Sequence, residues 1–234
     1  MKRNPADIFL VAGNPDGGRQ GSDPLLARIL SMTGLTRPTV AYVGAASHDN
    51  RMFFLWIASL LKRAGAGSVR LAALASPRAD PAKALRLLQE ADLVFVSGGD
   101  VEAGMRVLER TGLTILFREL HQSGKPFIGL SAGSIMLARS WVRWTDAADD
   151  STAEPFPCLN LAPLLCDTHA EKEGWEELKV LLKLTGAALG FAIPAGAALH
   201  VSSDGSKAAL GKPVHLISQK LGSGLDFDVK ELKS

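Results

Sequence analysis

The sequence predicts a three-layer α/β/α sandwich with a mostly parallel central sheet. In the first 140 residues, near-continuous apolar runs alternate with amphipathic helical stretches, the pattern of strands buried on both faces by crossover helices. Two glycine-rich breaks, SGGD (97–100) and GLSAG (129–133), each end such a run. They therefore fall at the carboxyl ends of strands, where open α/β sheets gather their ligands. The chain of 234 residues is long enough for one α/β domain with a substantial core, and a single domain over 1–234 is the expectation.

Element by element, DIFLVAG (7–13) reads as a strand stopped by the turn cluster NPDGG. Leu25, Leu26, Ile29 and Leu30 give helical spacing over 23–32. TVAYVGAAS (39–47) is a second strand and 51–65 a helix with a basic last turn and Gly65 beyond it. VRLAALA (69–75) is a third strand, 81–91 a helix opening on Pro81, and LVFVSGGD (93–100) a fourth strand. Helices follow over 101–111 and 113–123, then PFIGLSAG (126–133) as a fifth strand running into a helix at 134–140. The second half is less regular. Residues 141–160 read as a polar, irregular loop, LAPLLCDTH leads to His169, 171–186 is a helix, and short strands broken by Gly and Pro follow. The irregular segments 14–24 and 141–158 are expected to shape a pocket.

Charge excludes some classes. With 26 basic and 24 acidic side chains the net charge is +2, so nothing electrostatic points to nucleic acid or an anionic membrane. The N-terminal apolar run is too short for a signal peptide, and no segment reaches the apolar length of a membrane span. Cys158 and Cys166 lie outside any C-x-x-C pair and read as reduced thiols of a cytoplasmic protein.

Gly129-Leu130-Ser131-Ala132-Gly133 is G-x-S-x-G between a strand and a helix, the context a nucleophile elbow requires. The sharp turn presents Ser131 Oγ at the start of a helix, where the N–H of Ala132 can hold negative charge. A second donor is expected from the N–H of Gly99, since paired glycines bring bare backbone to a ligand. A serine also needs a base. His200 and His215 alternate within late strands, His121 is expected on a helix surface, and His48 follows a strand end and is a further candidate. His169, in an Asp-Thr-His turn at a strand end, is the preferred base. The carboxylate that orients it is left open among Asp146, Asp149, Asp150 and Asp167. Gly98, Asp100 and Thr168 flank these groups and are expected to touch substrate.

With these motifs, SGGD, GLSAG, LNLAPLLCDTH (159–169) and AIPAGAALHV (192–201) followed by ALGKPVHL, the chain resembles the S51 serine peptidases, which include aspartyl dipeptidases and cyanophycinase. The resemblance implies a class I glutamine amidotransferase-like (flavodoxin-like) fold, with Ser131 as nucleophile and His169 as base. It also implies an acid fifteen residues beyond the serine, at Asp146. It implies hydrolysis of small peptides through an acyl-enzyme, with no cofactor and no metal; a homodimer is compatible with it. The chain departs from the family pattern at Asp100 (usually Asn) and at Ala195 (usually Glu). The stretch after the histidine, EKEGWEEL, has Lys172 as its only cation where aspartyl dipeptidases use an Arg to hold the substrate Asp. A differently specific hydrolase (esterase, β-aspartyl or cyanophycinase-like) and a non-catalytic binding member of the fold are the alternatives. Ser at 131, where an amidotransferase has Cys, argues against an amidotransferase subunit.

Overall fold

The structure, a computed structural model, describes residues 5–13, 23–146, 149–220 and 226–233; the turn cluster after Gly13 lies outside them. The strands are β1 (Ile8–Val11), β2 (Thr39–Val43), β3 (Ser68–Leu71), β4 (Leu93–Val96), β5 (Phe127–Leu130), β6 (Ser140–Trp144), β7 (Ala153–Pro157), β8 (Cys166–Thr168), β9 (Gly190–Ile193), β10 (Ala197–Val201), β11 (Lys207–Gly211), β12 (Val214–Gln219) and β13 (Phe227–Leu232). The helices are α1 (Pro24–Met32), α2 (Arg51–Arg63), α3 (Pro81–Glu90), α4 (Val101–Arg110), α5 (Leu113–Gln122), α6 (Ala132–Leu137) and α7 (Glu176–Thr185).

Seven strands form the central sheet in the order β11-β10-β1-β5-β4-β2-β3. β1, β5, β4, β2 and β3 run parallel, and β10 and β11 close one edge antiparallel. Alternate residues of each strand enter opposite cores, as a period of two requires. Phe9, Val11, Val40, Tyr42, Leu93 and Phe95 pack against α1 and α2. Ile8, Leu10, Ala41, Val43, Val94 and Val96 pack in a core with α3 through α6. This is the expected layering. The helices start where their capping residues stand. Asp23 takes the N–H groups of Leu25 and Leu26, with Pro24 behind it. Asp80 precedes Pro81, and Asp100 Oδ1 accepts from the N–H of Ala103 at 2.8 Å.

The second half adds features that the sequence reading did not separate. β8 does not join the central sheet. It pairs in parallel with β9 in a four-stranded sheet ordered β13-β12-β9-β8, on which α7 packs through Leu178, Leu181 and Leu182. Residues 141–160 are not one irregular loop, since β6 and β7 pair as an antiparallel hairpin from Ser140↔Pro157 to Trp144↔Ala153. The helix expected from 171 begins only at Glu176, because Gly174 (φ 63°) and Trp175 (φ 64°) take left-handed backbone that a helix cannot contain. His121 is not on the surface. It is buried, with Nε2 against the carbonyl of Ala6 at 2.8 Å, and burial holds its pKa below the usual histidine value. Among the described residues no helix is long and apolar enough to cross a membrane.

Candidate active site

The registers β1–β5 and β4–β5 align the carboxyl ends of three strands, with Val11 opposite Leu130 and Val96 opposite Gly129. The chain turns there. Ser131 sits at φ 52°, ψ −121°, outside the regions open to most L-residues. One carbonyl of β1 pins the turn: the N–H of Ser131 donates to the carbonyl of Val11 at 2.8 Å, and Ser134 Oγ donates to the same carbonyl at 3.0 Å. The two flanking glycines are steric requirements. A Cβ on Gly129 would lie 2.6 Å from Ser134 Cα, and one on Gly133 would lie 2.1 Å from the carbonyl oxygen of Val96.

His169 arrives from the other sheet. It follows β8 at φ 48°, and its N–H donates to the carbonyl of Ile193 at 2.9 Å, extending the β8–β9 pairing by one residue. The ring then reaches across the gap between the sheets, and Nε2 lies 2.7 Å from Ser131 Oγ. The two residues, 38 positions apart in sequence, come together because the elbow ends the central sheet and β8 ends the second one.

Gly99 (φ 141°) lies beside the elbow at the end of β4, where a Cβ would be 2.0 Å from the carbonyl oxygen of Ala46. The N–H of Asp100 donates to that carbonyl at 2.8 Å, so the SGGD turn lies flush against the Ala45–Ser47 turn. That turn is anchored in its own right, because Asp49 Oδ2 accepts the N–H groups of Leu74, Ala75 and Ser76. Among the described residues no backbone acceptor meets the N–H of Gly99 or of Ala132, and both residues line the cleft at Ser131. Gly98 lies closer in: a Cβ there would be 3.1 Å from Ser131 Cβ. Asp100 and Thr168 line the same cleft.

Asp146 follows β6 in an exposed turn, with its N–H donating to Thr152 Oγ1 at 3.1 Å. Asp149 is exposed and accepts from the N–H of Ser151 at 2.9 Å; the Ser151 hydroxyl first, and then that N–H, hold its carboxyl below the usual range. Asp167 is of another kind. It is 6% exposed, Oδ1 accepts from the N–H of Thr168 at 2.7 Å, and among the described residues Oδ2 has no hydrogen-bond partner. Burial, with Glu177, Glu173 and Glu171 adding repulsion, pushes its pKa up to about 7. At the Pro194-Ala195-Gly196 turn Ala195 carries no acid, yet Glu171 Oε1 accepts the N–H of Ala195 at 2.6 Å.

Two cavities meet at Ser131 and His169. One, of about 400 Å³, is apolar, with Leu25, Leu26, Trp56, Ile57, Leu60 and Leu130 in its walls. The other, of about 430 Å³, holds Gly99, Ala132 and Trp141 together with Asp100, Asp167, Glu173, Glu176 and Glu177. Neither set of walls is legible in the sequence. Glu173, Glu176 and Glu177 stand in a dense acidic run of the sequence, but only the fold turns them toward the cleft at the elbow.

The model of peptidase family S51 matches residues 8–209 of the chain. The peptidase E of Shewanella denitrificans is 38% identical over 92 residues, which are 38% of this chain and 37% of that protein. The peptidase E of Pasteurella multocida is 28% identical over 148 residues, 59% of this chain and 63% of that protein. The matches thus span less than two thirds of these relatives. Among solved structures, a peptidase from an acI-B1 Actinobacterium superposes with a TM-score of 0.74 at 18% identity, covering 98% of this chain and 96% of the other. A peptidase E protein from Listeria monocytogenes EGD-e gives 0.65 at 17% identity, covering 89% and 99%. At these identities the superpositions speak for the fold.

Proposed function

From the premise that the chain belongs to peptidase family S51, we propose that it is a serine peptidase that hydrolyses small peptides through an acyl-enzyme. One observation carries the reading: at a G-x-S-x-G elbow, Ser131 Oγ lies 2.7 Å from His169 Nε2. That distance lets neutral imidazole remove the hydroxyl proton as oxygen attacks. His169 Nε2 takes the proton of Ser131, and Oγ bonds to the peptide carbonyl carbon. The oxyanion that forms is met by the N–H groups of Gly99 and Ala132, the latter at the start of α6. Protonated His169 gives its proton to the departing amine as the C–N bond breaks. A water molecule, deprotonated by His169, then attacks the acyl-enzyme, and Ser131 regains its proton as the acid product leaves. Asp146, at the family's position for the acid, is assigned to hold the imidazole tautomer. Gly98, Asp100 and Thr168 border the substrate. The fold is read as one domain over 1–234, acting on peptide in the cytoplasm.

The test is active-site labelling with a fluorophosphonate, followed by peptide mapping. Label on Ser131, absent in Ser131→Ala and His169→Ala, is the expected result. Hydrolysis that survives Ser131→Ala overturns the proposal. Asp146→Asn is expected to lower kcat by about 10²–10⁴-fold and to change its pH profile; unchanged kinetics remove Asp146 from the triad.

A further inference from the structure

The apolar cavity at Ser131 is cut into the core between the central sheet and the helices α1 and α2. Phe95 of β4 supplies the sheet side, Leu25 and Leu26 come from the first turn of α1, and Trp56, Ile57 and Leu60 come from one face of α2. All of these except Trp56 are 9% exposed or less, so core packing fixes the walls. Trp56 differs: it is 48% exposed, with its ring stacked on that of Phe53 at 5.8 Å between centroids, and it stands at the rim. Close-packed interiors leave few voids larger than a water molecule. The cavity's volume of about 400 Å³ instead falls within the range of small-molecule sites, about 300–1,000 Å³. A space of that size that opens at both Ser131 and His169 has the place and the dimensions of a subsite.

The chemistry of the walls selects the occupant. Among the described residues no Lys, Arg or Glu lines the cavity. Asp23 does, but its Oδ1 accepts the N–H groups of Leu25 and Leu26 at 2.9 and 3.2 Å, so its charge is met by the start of α1 without a bound cation. An anionic or amide side chain brought inside loses its water and finds no donor in walls of Leu, Ile, Phe and Trp. A large hydrocarbon or aromatic side chain gains by the same transfer. Gly99 and Ala132 line the other cleft and not this one, so a carbonyl oxygen held between their N–H groups leaves the cavity free for a side chain.

We propose that this cavity is the subsite for a large apolar side chain, of the leucine or phenylalanine class, on one of the two residues that form the scissile bond, with Trp56 as a specificity-determining residue at its rim. The inference rests on the peptidase reading for the scissile bond and on the cavity walls alone for the side chain. Entry of the side chain covers the half-exposed indole of Trp56 and fills the space above Phe95. Alanine leaves most of that space empty. Asparagine has nearly the shape of leucine but brings an amide that the walls cannot satisfy.

The experiment is calorimetric titration of Ser131→Ala with Leu-Ala and Ala-Leu, their asparagine counterparts Asn-Ala and Ala-Asn, and Ala-Ala. In one of the two orders leucine is expected to bind roughly 10- to 100-fold more tightly than asparagine or alanine, the worth of burying that side chain. Trp56→Ala in the same background is expected to shrink the leucine advantage while leaving the affinity for Ala-Ala unchanged, since the half-exposed ring is not part of the core. Equal affinity for leucine, asparagine and alanine in both orders, no binding by any of them, or a leucine advantage that Trp56→Ala leaves whole overturns the inference. Fluorophosphonate labelling of the wild type separates the two claims. Label on Ser131 without a leucine advantage defeats the cavity assignment alone. A leucine advantage without label supports the cavity and defeats the peptidase reading.

Discussion

Replacing Asp167 by Asn should stabilise the protein, and only at the higher pH. Burial and the nearby Glu177, Glu173 and Glu171 push this carboxyl up to about 7, from an ordinary value of 3.8. A folded-state pKa above the unfolded one means that the native state holds its proton longer. The stability so gained is fully present below the unfolded value and is lost as pH rises from there through the folded value. At 1.36 kcal/mol for each tenfold change in proton affinity, ionising the group in place costs roughly 4 kcal/mol by about pH 8. Asn keeps the shape and the acceptor for the Thr168 N–H but never ionises. Thermal unfolding at constant ionic strength should show wild type and Asp167→Asn similar at about pH 4. At about pH 8 the variant should melt some 10 °C higher, since 1 kcal/mol is about 2–4 °C for a chain of this size. An equal difference at both pH values, or a variant less stable at the higher one, would refute the claim that the carboxyl is strained by its own charge.

Two other outcomes follow from the same geometry. Gly99→Ala places a Cβ 2.0 Å from the carbonyl oxygen of Ala46 at φ 141°, so the SGGD turn must shift. Stability should fall by about 1–3 kcal/mol and kcat by about 10²–10³-fold as one donor leaves its place; normal kcat would remove Gly99 from the oxyanion site. Cys158 and Cys166 are buried, and burial pushes the Cys158 thiol up to about 12 and that of Cys166 up as well. Because the thiolate is the reactive form, iodoacetamide should modify neither in the native protein and both in denaturant, as mass spectrometry would show.

The central sheet was legible in the sequence because four of its five parallel strands, β1, β2, β4 and β5, are buried on both faces. Segments such as IFLV and LVFV therefore carry no polar interruption, and Asp or Pro marks the helix that follows. The elbow was legible for a related reason, since Gly129 and Gly133 are fixed by close packing that no other residue allows. The hairpin β6–β7 was not, because its strand SWVRW mixes charged and aromatic residues on half-buried faces and one of its ends lies among Asp146, Asp149 and Asp150. The partnership of β8 with β9 was equally hidden. A three-residue strand has too little periodicity to announce which sheet it joins, and yet that pairing brings His169 to Ser131. The acidic wall had a visible signal in EKEGWEEL, but its direction depends on the left-handed turn at Gly174 and Trp175 that delays α7 to Glu176.

Stability and activity meet at Asp167. The elbow already holds Ser131 at φ 52° and His169 at φ 48°, conformations that cost about 1–3 kcal/mol each and persist where surrounding structure enforces them. A buried carboxylate beside them adds a cost with no visible structural return, for among the described residues its one hydrogen bond is to its own neighbour, Thr168. Sites of function are where such costs are retained, and relieving them commonly raises stability while lowering activity. Asp167→Asn should therefore do two things at once: raise the melting temperature near pH 8, and lower kcat for peptide hydrolysis. Stabilisation with kcat intact would show that the carboxylate is strained but idle.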